Sequence, residues 1–88
     1  MPPADQRSGI YRLSRLPQIS GDRVRRALER ADFFVARQKG SHALMRHKSD
    51  PSRRCTVPIH KGHRVKPGTL MAILRGAKLE LQDFLKLI

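Results

Sequence analysis

The residues best suited to chemistry are the run Lys39-Gly40-Ser41-His42. Glycine lets a backbone approach a ligand closely or adopt positive φ, and serine with exposed N–H groups can hold phosphate oxygens. Histidine is the one side chain whose ordinary pKa permits proton transfer in both directions near neutral pH. RNA carries its own nucleophile, the 2′-hydroxyl, so its cleavage asks little more of a protein than a base, an acid and positive charge. The same four residues equally describe an ordinary hairpin turn followed by a histidine without a role, and spacing alone leaves both readings open.

The other chemistry-bearing residues form no recognised set. His60 and His63 are spaced i, i+3, and Cys55, His42 and His47 could be imagined beside them. Structural zinc sites, however, show ligands paired closely in sequence, as in CxxC, and this chain has a single cysteine. No metal site and no cofactor are expected. The sequence holds no paired carboxylates, no Walker loop and no GxSxG. One cysteine forms no internal disulfide, which fits a reducing cytoplasm, and Cys55 reads as a small buried hydrophobe.

Charge supplies the second clue. Nineteen Lys and Arg against seven Asp and Glu give a formal charge of +12 over 88 residues, an excess that favours a polyanionic partner, nucleic acid first. Thirteen of the nineteen are Arg, which suits bidentate phosphate contact and stacking. Between Phe33 and Leu79 the only acid is Asp50, against eleven Lys and Arg. A solvated surface normally mixes both signs, so this one-signed stretch points to phosphate contact. Arg37, Lys39, Arg46, Lys61 and Lys66 are the candidate cations, with Gly40 and Ser41 beside them.

The elements that must position these groups follow from periodicity. Ser20 is a helix N-cap, with Asp22 favourable to the dipole. Val24, Ala27, Leu28 and Ala31 then recur at i, i+3, i+4, i+7, and Asp32 ends the helix. Phe33 to Gln38 is aromatic and β-branched, a strand by propensity. After the Lys39-Gly40-Ser41 turn, His42 to His47 alternates as a second strand. Ser49 to Ser52 is a loop, and Cys55 to Ile59 is a third strand in which Pro58 favours an edge. His60 to Arg64 is a polar loop. Pro67 suits a first helical turn; Leu70, Ile73, Leu74 and Ala77 repeat the helical stripe, with Gly76 as a break or cap. Glu80 to Ile88 is a last short helix with Leu81, Phe84, Leu85 and Ile88 on one side. The order is that of an α+β sandwich, helices on one face of a three-stranded antiparallel sheet.

Length and composition set limits. A chain of this size carries one modest core, which excludes a multidomain enzyme and a deep cofactor cleft. No apolar run approaches a membrane span. Residues 1–17, with Pro2, Pro3, Gly9 and Pro17, read as a poorly ordered extension, and 18–88 as the domain.

The blocks Ile19-Ser20-Gly21, Gln38-Lys39-Gly40-Ser41-His42, Val57-Pro58-Ile59-His60 and Lys66-Pro67-Gly68-Thr69-Leu70, followed by Ile73-Leu74, resemble in order and spacing the HicA toxin family of messenger-RNA interferases. The resemblance runs from about residue 17 to the C-terminus. It implies a double-stranded-RNA-binding-like α-β-β-β-α fold. It also implies the toxin of a type II toxin–antitoxin system: a cytoplasmic, metal-independent endoribonuclease that cuts messenger RNA without the ribosome and is silenced by a HicB-like antitoxin. The family's catalytic histidine carries over to His42 and its neighbouring glycine to Gly40. A second proton-transfer group is not identified by the motif; His60 is the candidate. The other reading is a non-catalytic RNA-binding module of the same fold, which would hold RNA by shape, phosphates and 2′-hydroxyls.

Overall fold

A computed structural model describes residues 16–88. Its elements are helix α1 (Gly21–Arg30), strands β1 (Phe33–Lys39), β2 (His42–His47) and β3 (Arg54–Pro58), and helices α2 (Pro67–Ala77) and α3 (Leu81–Leu85). This is the α-β-β-β-α arrangement expected. The sheet is antiparallel throughout, in the order β1-β2-β3, so β2 is central and β3 is an edge that ends on Pro58.

Local chemistry accounts for each boundary. Ser20 Oγ accepts from the Arg23 N–H at 3.1 Å and caps α1. Asp22 in its first turn pairs with Arg25 at 2.6 Å, and that side-chain hydrogen bond holds the Asp22 carboxyl below its ordinary pKa. Pro67 opens α2 at a position where the missing N–H costs nothing. The expectation for residues 1–17 falls, apart from Leu16 and Pro17, outside the described residues; Leu16 is buried in the core.

Alternate residues of the strands build the core. Ala43, Met45 and Val57 are wholly buried, as are Val24, Ala27 and Leu28 of α1, Leu70 and Ala77 of α2, and Phe84 of α3. Helix α1 packs against β1 and β3, and α2 against β3, and among the described residues no element covers the opposite face of the sheet. Arg53 ties the two layers: its Nε donates to the Ala77 carbonyl at 2.8 Å, and its guanidinium lies 5.4 Å from the Phe33 ring centre.

Three expectations need correction. Gly76 neither breaks nor caps α2; it lies inside the helix, and the chain leaves through Lys78 at φ 53°. A Cβ on Gly76 would fall 2.5 Å from the Arg54 carbonyl oxygen, so glycine there allows the helix to lie against the edge strand. The last helix is only Leu81–Leu85, and Leu85 is 43% exposed rather than packed with Phe84, because one turn and a half presents too narrow a stripe to bury both. The third strand is displaced by one residue from 55–59: it runs Arg54–Pro58, and the Ile59 N–H donates to the Ser41 carbonyl in the turn.

Candidate active site

The Lys39-Gly40-Ser41-His42 run is the β1–β2 turn. Gly40 adopts φ 57°, which closes the hairpin at low steric cost, and Gln38 Nε2 donates to its carbonyl at 3.0 Å. His42 opens β2, opposite Lys39 on one side and Pro58 on the other. By strand alternation its side chain shares a face with Leu44 and Arg46, away from the buried Ala43 and Met45. His42 is exposed, reachable by a macromolecular ligand.

The pairing of β2 with β3 brings a second imidazole to it. Because His42 stands opposite Pro58, the chain leaving β3 passes beside it two residues later. The His42 and His60 ring centres lie 5.9 Å apart in an edge-to-face arrangement, and His60 and His63 are also 5.9 Å apart. Ser41 Oγ lies 3.2 Å from His60 Nε2. A neutral ring protonated on Nδ1 accepts from that hydroxyl, and an imidazolium donates to it. The 60–63 turn is fixed by the His63 N–H donating to the His60 carbonyl at 3.0 Å, and just beyond it the Val65 N–H donates to the Ile19 carbonyl at 2.8 Å.

Beside His60 and His63, on the side away from His42, runs an open groove of about 320 Å³ lined by Pro58, His60, His63, Arg64, Val65, Lys66 and Thr69. The N-terminus of α2 opens beside it with no side-chain cap, so unfilled N–H donors and the positive end of the helix dipole face this region. Lys61 is exposed in the 60–63 turn, and Lys66 precedes Pro67 at the rim. The remaining sequence candidates lie on the sheet. Arg37 is opposite Leu44, and Arg46 is four residues along β2 from His42 on the same face, roughly 13 Å away at strand rise. The site therefore has two parts: a histidine corner with Lys39, Ser41 and Lys66, and a cationic sheet face with Arg37 and Arg46.

His47 belongs to neither part. It lies on the covered side, edge-on to Phe33 at 5.1 Å, with Nδ1 accepting from the Ser49 N–H at 3.1 Å. Cys55 is free and half-buried, and desolvation pushes its thiol up to about 11, so it is protonated and unreactive at neutral pH. Among the described residues no three His, Cys, Asp or Glu side chains are grouped to hold a metal ion. The ion pairs among the described residues involve Asp22, Glu29 and Asp83 on the helices; none engages a cation of the sheet or of the groove.

What the fold and site define is a small α+β domain with one-signed charge on the open side of a three-stranded sheet and imidazoles at its corner. The model of the family described as the HicA toxin of bacterial toxin–antitoxin systems matches residues 21–79, about two-thirds of the chain. The chain belongs to that family. No curated protein matches it. The matched span runs from the first residue of α1 to just past α2, and so contains the turn, both strand pairings and the groove.

Proposed function

We propose that this chain is the endoribonuclease of a toxin–antitoxin pair, cutting messenger RNA in the cytoplasm without the ribosome through His42. The observation that carries this reading is the pair of exposed imidazoles, His42 and His60, 5.9 Å apart at a cationic corner. A phosphodiester lying across the exposed edges of the two rings, rather than between them, would turn its attacking oxygen to one imidazole and its departing oxygen to the other. One imidazole takes the proton of the 2′-hydroxyl as the 2′-oxygen–phosphorus bond forms. The other, as imidazolium, gives a proton to the 5′-oxygen as the phosphorus–5′-oxygen bond breaks. The products are a 2′,3′-cyclic phosphate and a 5′-hydroxyl end.

Lys39, Lys66 and the free N–H groups of α2 stabilise the negative charge that develops on the non-bridging oxygens. Gly40 lets the backbone approach the phosphate, and the Ser41 hydroxyl orients His60. Because side-chain cations supply the positive charge, the reaction proceeds in the presence of a chelator.

The same charge argues for the partner. A HicB-like antitoxin that presents acidic side chains to this corner masks His42 and blocks RNA electrostatically. The test is incubation of a labelled transcript with the native chain and with His42→Ala, each with and without EDTA. Fragments from the native chain in both conditions, and none from the variant, are the expected result. Intact RNA retained by the native chain would instead identify a non-catalytic RNA-binding module.

A further inference from the structure

Beyond the row that holds Lys39 and His42, the open face of the sheet has no role in the two-histidine chemistry, and its residues are unusual for a surface left to water. Phe34 is 41% exposed and stands opposite Arg46, which stands opposite Arg54 on β3. In the next row Arg37, Leu44 and Thr56 are aligned, and in the last row Lys39, His42 and Pro58. Phe34 and Arg37 are three apart and would point to opposite faces of a regular strand. The irregularity between Val35 and Arg37 returns both to the open face, as a bulge does. No row contains an acid. Arg46 and Arg54 are directly opposed like charges, an arrangement that weakens a sheet unless an anion lies between them.

We infer that this face is a track for single-stranded RNA, on which Phe34 stacks an unpaired base while Arg37, Arg46 and Arg54 hold the phosphates on either side of it. The inference rests on the proposed nuclease activity and extends it to the strand flanking the cut. Continuity gives the direction: His42 lies at one end of the face, so a chain seated at His42 and crossing the rows meets Leu44 and Arg37, then Arg46 and Phe34. Every base has a π-face, so an exposed aromatic among arginines recognises unpaired nucleotides without regard to sequence. A duplex keeps its bases stacked and offers Phe34 nothing. A protein strand joining by main-chain hydrogen bonds would use the edges at β1 or β3, not the face.

The test uses the full chain carrying His42→Ala, which keeps RNA intact and makes binding measurable whether or not the native chain cuts. Fluorescence anisotropy with a labelled single-stranded oligoribonucleotide and with its duplex compares that background with added Phe34→Ala and, separately, added Arg54→Gln. Phe34→Ala is expected to weaken single-strand binding about tenfold or more, to leave duplex binding unchanged and to keep the melting temperature. Arg54→Gln is expected to reduce the salt dependence by about 0.7 in the slope of log affinity against log salt. Unchanged single-strand affinity in Phe34→Ala, or equal losses for single strand and duplex, would overturn the track. So would an unchanged RNA affinity accompanied by weaker binding of an acidic antitoxin, which would make the face a protein interface. A native chain that fails to cut while the variants still lose single-strand affinity would overturn the nuclease reading and leave the track standing.

Discussion

The two faces of one sheet are made by the same three strands and have opposite chemistry. On the covered face Val35, Met45 and Cys55 form one row and Ala43 lies opposite Val57, under α1 and α2. On the open face the intervening residues are Phe34, Arg37, Leu44, Arg46, Arg54 and His42. A strand alternates its side chains strictly, so neighbours one residue apart serve different ends: Met45 the interior, Arg46 the surface. Burial and exposure therefore separate by parity along β2, and substitutions one position apart should have unrelated consequences.

The largest effect is expected at the functional end of that strand. His42→Ala should lower the cleavage rate by about 10²–10⁴-fold, the usual worth of a positioned acid or base, while leaving the melting temperature where it was. Next comes the parity contrast itself. Met45→Ala, at a wholly buried position, should cost about 2–5 kcal/mol. Arg46→Ala beside it should change stability by no more than about 0.5 kcal/mol. Chemical denaturation of both variants checks this, and equal destabilisation would erase the distinction between the faces.

His60→Ala should reduce cleavage by roughly 10²-fold, and an accompanying loss of one limb of the pH–rate profile would separate proton transfer from mere support of the turn. Cys55 offers the smallest readout. Its thiol is raised from 9.0 to about 11 by desolvation, so near pH 7.5 the folded chain holds far less thiolate than an ordinary cysteine does. Alkylation by iodoacetamide should be slow in buffer and rise sharply in denaturant. Rapid labelling of the folded chain would mean that the covered face is open to solvent around this thiol.

How legible this was in the sequence varied with the cause. Strand β2 was plain because a central strand with one covered face must alternate, and His42 to His47 does. Helix α1 was plain from its cap and its apolar stripe. Strand β1 gave its propensity but not its facing, since the irregularity at Val35 to Arg37 interrupts the period of two and hides that Phe34 and Arg37 share a side. Gly76 was misread because a glycine that ends a helix and one that admits a neighbouring backbone look alike in sequence; only the Arg54 carbonyl distinguishes them. His60 is a candidate second proton-transfer group in the sequence, but its nearness to His42 is not legible there. The two are far apart along the chain, and the pairing of His42 with Pro58 that joins them depends on the register across the Lys48–Arg53 loop. The resemblance carried over one histidine, whereas the register supplies its neighbour.

The central claim is that two imidazoles at the corner of the sheet activate the ribose 2′-hydroxyl against the adjacent phosphorus. The most direct measurement is the chemistry of the cut ends, made on an oligoribonucleotide and on a copy lacking the 2′-hydroxyl at the cut position. The account predicts a 2′,3′-cyclic phosphate and a 5′-hydroxyl from the first and no cutting of the second there. A 5′-phosphate product, or equal cutting of the deoxy copy, would contradict it.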